Sequence, residues 1–174
     1  MKVICLTGKN TPRQNELYNS LSNYQIKKEN IKVFDFTDSM HESLLEEALG
    51  NENLRKQMMA IKKSGYPFVT FDEFGISGHQ NHKDCYEYLR DCLYDGKMDT
   101  IKFYKINSVN FAVKYLIPGL CFTRSEITLY SSFQNWKKTL AVMRKCHVSQ
   151  MVWYRYLWFF WSRYLWRNDY KAVY

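Results

Sequence analysis

Thr70-Phe71-Asp72-Glu73-Phe74-Gly75-Ile76-Ser77-Gly78-His79-Gln80-Asn81-His82 is the stretch on which the reading of this chain turns. An apolar run from Tyr66 to Phe71 leads into it and reads as a strand that stops at Asp72. Two glycines and a serine then make a loop, His79 and His82 stand three residues apart, and His82 to Tyr94 has helical spacing. A strand that ends in a glycine loop before a helix is where open α/β sheets place their chemistry. The residue types fit that place. A hydrolytic zinc centre needs about three protein ligands, an open position for water and a general base. One imidazole of the pair could ligate, and the other could polarise an oxyanion or donate a proton. The pair also reads as two surface histidines.

Outward from this stretch, strands alternate with helices. Lys2 to Thr7 is a buried-strand pattern that ends at the breakers Gly8-Lys9-Asn10-Thr11-Pro12, and Arg13 to Tyr24 carries Leu17, Leu21 and Tyr24 at helical spacing. The Thr-Gly-Lys at this turn lacks the second glycine and the Lys-Ser/Thr pair of a phosphate loop. Ile31 to Phe36 is the second strand. Ser43 to Lys63 is a helical region bent near Gly50-Asn51, and Phe68 to Phe71 is the third strand, with Pro67 at its start. Lys83 to Tyr94 is a helix ended by Asp95-Gly96, and Thr100 to Ile106 is a fourth strand. Ser108 to Cys121 reads as strand or as a turn of helix, with a loop at Pro118-Gly119. Glu126 to Tyr130 is a fifth strand, and Ser132 starts a helix to about Cys146, with Ser132 or Ser149 as candidate caps. This order predicts an α/β domain with a mostly parallel sheet.

Composition narrows the partners. With 174 residues, 46% of them hydrophobic and 17% aromatic, the chain can bury a real core. The net charge of +8 suits a phosphate-bearing partner or an anionic membrane surface. No Lys/Arg cluster or motif points to nucleic acid, so none is expected as a partner. The five cysteines are odd in number and contain no C-x-x-C, which predicts reduced thiols. No signal peptide and no run of about 18 apolar residues is encoded. The segment 150–167 is expected to be one aromatic amphipathic helix. Arg155 and Arg163 interrupt its apolar run eight residues apart, and Trp158 and Trp161 lie between them. It reads either as a helix packed on the sheet or as an interfacial helix. In the second case these four residues would meet lipid headgroups.

The string from Val69 to His82 resembles the T-F-D-x-x-G-[VI]-S-G-H-x-N-H signature of the N-acetylglucosaminyl-phosphatidylinositol de-N-acetylases, within the PIG-L or LmbE-like metal-dependent deacetylases. Ser108-Val109-Asn110 is similar to the family's S-V-N. The stretch from Cys146 to Arg155 is similar to its C-H-x-S-Q-x-x-W-F-R, Phe160 to Tyr164 to its F-S-R-Y, and Arg13 to Leu17 to its R-K-x-E-L.

The resemblance implies a Rossmann-like three-layer fold over 1–174. It also implies zinc-dependent hydrolysis of the acetamide of N-acetylglucosaminyl-phosphatidylinositol, the second step of GPI-anchor synthesis, at the cytosolic face of the endoplasmic reticulum membrane. By position, His82 would be a Zn2+ ligand and His79 the unbound histidine that stabilises the oxyanion or helps the amine leave. Arg13 would contact the substrate headgroup. Asp72 would orient a histidine or cap the loop. The family's H-P-D-D-E string, which supplies the remaining ligands and the base, does not occur in this sequence. The chain is therefore expected to start at the family's second strand and to be incomplete for catalysis on its own, and either to be marginally stable or to rely on a partner chain that supplies the missing strand. The alternative expectation is a non-catalytic, membrane-associated binding module that keeps the headgroup pocket.

Overall fold

A computed structural model describes residues 1–94, 103–115 and 124–173. Its contacts divide the chain into two compact units. The expected helix end at Asp95-Gly96, the start of the fourth strand at Thr100, the Pro118-Gly119 loop and Cys121 all lie outside the described residues.

The first unit contains Met1–Phe36, residues 111–115 and Tyr130–Arg167. Strand β1 (Val3–Cys5) pairs in parallel with β2 (Ile31–Val33), in the register Val3 to Ile31. Bonds from Phe34 N to Cys5 O (2.8 Å) and Phe36 N to Leu6 O (3.1 Å) continue the ladder. Helix α1 (Pro12–Ser22) starts where the sequence prepares it. Pro12 occupies the first turn, where a missing N–H costs nothing, and Thr11 stays extended before it. Gly8 turns the chain with φ +87°, and Thr11 Oγ1 donates to its carbonyl at 2.7 Å. Helix α7 (Phe133–Cys146) is capped by Ser132, whose hydroxyl accepts from Asn135 N. It packs on α1 through Tyr24 and Thr139, hydroxyl to hydroxyl at 3.1 Å. Ile31, Phe34, Val142, Phe159 and Leu165 are buried in this unit.

The second unit contains the described residues of 37–110 and 124–129 together with 168–173. Helices α2 (Leu45–Gly50) and α3 (Glu52–Lys63) realise the predicted bend at Gly50-Asn51, and the Asn51 side chain caps α3 by accepting from Leu54 N at 2.9 Å. Glu52 in the first turn and Lys62 and Lys63 in the last complement the helix dipole. Strand β3 (Phe68–Thr70) leads through the short turn α4 (Gly75–Gly78) into α5 (Gln80–Tyr94). Strand β4 (Phe103–Ile106) pairs in parallel with β3, Phe68 opposite Phe103. Residues 111–115, in the first unit, take the helical alternative as α6 (Phe111–Tyr115). The sheet is completed by β5 (Ile127–Tyr130) and β6 (Arg167–Val173) in the order β3-β4-β6-β5, with β4 and β6 antiparallel. Leu44, Ala48, Leu54, Tyr88 and Phe103 are buried here.

The result is a mixed α/β fold in which parallel pairing joins β1 to β2 and β3 to β4, compatible with a Rossmann-like arrangement. One strand was not expected. The segment 150–167 does not form one helix: α8 covers Trp153–Trp161, a 3₁₀ turn follows at Arg163–Leu165, and β6 starts at Arg167. Ser162 ends the helix by turning extended, with φ −75° and ψ 125°. Arg-Asn-Asp-Tyr-Lys has little strand signal of its own, so its pairing with β4 and the burial of Asp169 decide its conformation.

Candidate active site

The expected site forms in the second unit where β3 runs out. Asp72 is buried, and its carboxylate organises the loop that follows. Oδ1 accepts from Phe74 N (3.2 Å), Gly75 N (3.1 Å) and Ser108 Oγ (2.5 Å), while Oδ2 accepts from Ser108 N (2.5 Å). Ser108 Oγ in turn accepts from Ile76 N at 2.9 Å. Asp72 therefore holds backbone rather than orienting a histidine. The loop has two left-handed residues in succession, Gly75 (φ +60°) and Ile76 (φ +62°). At Gly75 only glycine fits, because a Cβ there would lie 3.1 Å from His82 Cβ and 3.3 Å from Lys83 N. At Ile76 a branched side chain is held in a conformation it normally avoids, and such strain gathers at functional sites.

This close approach positions His82. The Gly75 carbonyl lies 3.1 Å from His82 Nδ1, so Nδ1 carries the proton and the lone pair sits on Nε2. That is the tautomer a metal or an acidic proton would use. The ring is fixed between two others: Phe71 stacks on it at 4.0 Å and His79 at 4.9 Å between centroids. His79 Nδ1 is buried without a hydrogen-bond partner. A buried polar nitrogen left unpaired costs about 1–3 kcal/mol, which a ligand atom can recover. The structure thus brings His79 and His82 together, face to face.

Neighbouring charges support the loop. Asn81 Nδ2 donates to Asp38 Oδ1 at 3.0 Å, and buried Asp84 accepts from Leu44 N and Gln80 Nε2, each at 2.8 Å. Glu73 pairs with Lys105 at 2.6 Å. Burial works against the charge of Glu73, but the Lys105 bond and charge outweigh it and hold the carboxyl below its usual value. Burial likewise opposes the charge of Lys105, and the Glu73 bond more than compensates. Ser108, Asn81 and the Gly75 carbonyl had no role assigned from sequence. Ser108 stood in view inside the S-V-N string, but its role as the anchor of Asp72 depends on β4 lying beside β3.

The other candidates belong to the first unit. Arg13 is exposed in the first turn of α1. Glu16, one turn on, accepts from Ser149 N (2.8 Å) and Ser149 Oγ (2.7 Å), so Ser149 clasps α1 instead of capping a helix. Burial pulls the His147 imidazole towards its neutral form, with the Arg155 charge assisting and Glu16 opposing. The four residues expected at lipid headgroups differ in exposure. Trp161 is exposed, whereas Arg163 is 2% exposed and Arg155 and Trp158 are half-buried. On α8 one aromatic arc points outward, and Arg155 and Phe159 lie on the opposite arc.

The zinc ligand set that the resemblance implies is only partly present. Nε2 of His82 has the right form for a ligand, yet no group of three His, Cys, Asp or Glu side chains that could hold a metal occurs among the described residues. Asp38 accepts from Nδ2 of this loop's Asn81. One imidazole does not make a hydrolytic zinc centre, so the described residues do not fit the metal by themselves. A cavity of about 520 Å³ lined by Arg55, Met58, Met59, Tyr88 and Cys92 contains none of the site's residues.

Comparisons with known proteins converge on one name. The chain is 29% identical over 193 residues to a probable N-acetylglucosaminyl-phosphatidylinositol de-N-acetylase of Schizosaccharomyces pombe, a match that covers 98% of this chain and 74% of that protein. It is 23% identical to the N-acetylglucosaminyl-phosphatidylinositol de-N-acetylase of Saccharomyces cerevisiae, over 82% of this chain and 58% of the yeast protein. It is 33% identical to that of Bos taurus, over 56% of this chain and 40% of the bovine protein. No family model matches, and no solved structure matches significantly. Relatives of a single name align along most of its length, and the chain is similar to the N-acetylglucosaminyl-phosphatidylinositol de-N-acetylases.

Proposed function

We propose that this chain serves the hydrolysis of the acetamide of N-acetylglucosaminyl-phosphatidylinositol, the second step of GPI-anchor synthesis, at the cytosolic face of the endoplasmic reticulum membrane. The observation that carries the reading is the stacked pair His79 and His82, with one ring nitrogen buried and unsatisfied. In the hydrolysis, water adds to the acetamide carbon, a tetrahedral oxyanion forms, and the C–N bond breaks as the glucosamine nitrogen takes a proton and acetate leaves. On this reading His79, as the imidazolium, donates a hydrogen bond to the oxyanion and then its proton to the leaving nitrogen, and the proton released by the attacking water restores it. His82 supports it through the ring stack, in the tautomer set by Gly75. Arg13 is the proposed headgroup contact, since a guanidinium suits a phosphate oxygen pair. No step is routed through a metal.

The test is release of acetate from N-acetylglucosaminyl-phosphatidylinositol by the purified full chain. Substitution of His79 by Ala is expected to slow it by about 10²-fold or more, with His82→Ala at least as damaging. Unchanged rates in both variants would remove the histidine pair from the reaction. A second reading, a non-catalytic module that keeps the headgroup pocket, is favoured by the lack of a three-ligand cluster among the described residues. It is the correct one if the chain binds the lipid and releases no acetate.

A further inference from the structure

We propose that the exposed face of α8, with the first turn of α7 beside it, is a docking surface for an anionic lipid bilayer. Trp153, Tyr154, Tyr156, Phe160 and Trp161 are all exposed, Trp153 by 75%. At 100° per residue they occupy one continuous arc of the helix. The opposite arc holds buried Phe159 and half-buried Arg155 and Trp158. The arc is continuous with α7 because Trp136 joins the two helices. Its Nε1 donates to Phe159 O at 2.8 Å, and its ring meets Phe160 at 5.8 Å and exposed Phe133 at 5.3 Å. A soluble monomer seldom leaves such a patch uncovered.

Charge says what covers it. Residues 127–168 contain seven Lys or Arg and no Asp or Glu; Lys137, Lys138, Arg144 and Lys145, all on α7, are exposed, while Arg163 and Arg167 are buried. The remaining chain has 25 − 7 = 18 basic and 17 acidic residues, so this segment holds seven of the eight net positive charges. A cation also borders the aromatic rings: Lys137 Nζ lies 4.7 Å from the centre of exposed Phe133. Indole and phenol rings beside ammonium groups, in a segment that itself has no carboxylate, are the composition of a helix lying at headgroup depth. A protein partner would be expected to leave some acidic rim for orientation. The surface does not serve as a span, since among the described residues no helix is long and apolar enough to cross a membrane. The proposal shares only the lipid with the hydrolysis reading, and vesicle binding is measured without turnover, so either can fail alone.

The experiment is co-sedimentation of the full chain with phosphatidylcholine vesicles, with and without phosphatidylserine, at several salt concentrations. Binding is expected to need phosphatidylserine and to weaken with salt. Trp153→Ala with Trp161→Ala should weaken it by about tenfold or more, and Lys137→Gln and Lys138→Gln by about fivefold each. Tyr66→Ser, at a position 72% exposed in the other unit, should leave it unchanged. Bromolipid quenching of tryptophan fluorescence should be lost in the double tryptophan variant. Failure of the native chain to bind either vesicle overturns the proposal. So does self-association that the tryptophan substitutions abolish while vesicle binding is absent, which would assign the face to a second copy.

Discussion

In the loop from Asp72 to His82 the polar groups are turned inward and tied together, while on α8 one arc of aromatic rings is turned outward. Asp72 accepts four hydrogen bonds at 4% exposure, whereas Trp153 is 75% exposed. Each region breaks the rule that places apolar groups inside and polar groups outside, and for a different reason. The buried carboxylate is affordable because every bond it lost to water is replaced. The exposed rings have no such compensation inside the chain, so what offsets them must lie outside it. A buried polar cluster is therefore explained by its own geometry, and an exposed apolar one by a partner.

That contrast can be broken by substitutions on both sides. Phe159, on the inner arc of α8, is fully buried. Phe159→Ala is expected to cost about 3–5 kcal/mol in a urea melt, and a loss under about 1 kcal/mol would show that α8 does not pack through this ring. Asp72→Ala removes the acceptor for four donors and should cost about 3 kcal/mol or more, again by urea unfolding. A near-neutral result would mean that Ser108 and the loop amides find other partners.

Gly75→Ala should cost about 1–3 kcal/mol through its positive φ and the crowding against His82. Gly65→Ala is the sharpening control: it has φ +73° but nothing within 4 Å of the added carbon, so its cost should stay near about 1 kcal/mol. Equal losses at the two sites would show that the contact with His82 is not tight. A smaller effect is expected at the Glu16–Ser149 clasp. Burial is the largest single influence on Glu16 and raises its pKa, but the Ser149 and Gln150 bonds and the His147 charge together outweigh it, so the folded value lies below the ordinary 4.5. The clasp's stabilisation is thus present above about pH 4.5 and fades as the pH falls through the lowered value. Ser149→Ala should flatten that part of the stability–pH curve, and an unchanged curve would show that the clasp adds nothing. Trp153→Ser should change stability by less than about 0.5 kcal/mol, while a large loss would mean that the ring is covered within the chain.

The sequence was most legible where local chemistry and tertiary structure agree. The run Phe68 to Thr70, the glycine loop and the helix behind it are visible as a strand, breakers and a 3.6-residue period, and the structure places them so. Ser132 as a cap was equally visible, because a cap depends on its own next three residues. What escaped was set at a distance. Ser108 anchors Asp72 only because β4 pairs with β3. Residues 167–173 form a strand only because β4 offers an edge. On α8, apolar periodicity fixed neither the end of the helix nor which face turns inward, since nearly every position is aromatic. The tautomer of His82 was likewise invisible, because it depends on one backbone carbonyl.

The central claim is that the imidazole pair His79 and His82 faces the acetamide. The most direct measurement follows the ring nitrogen resonances of the chain's four histidines while N-acetylglucosaminyl-phosphatidylinositol is added in bicelles. The account predicts that the signals of His79 and His82 move together, that His79→Ala abolishes the shift at His82, and that His147 stays where it was. Movement of His147 with both His79 and His82 unaffected would contradict it, and would place the substrate in the first unit.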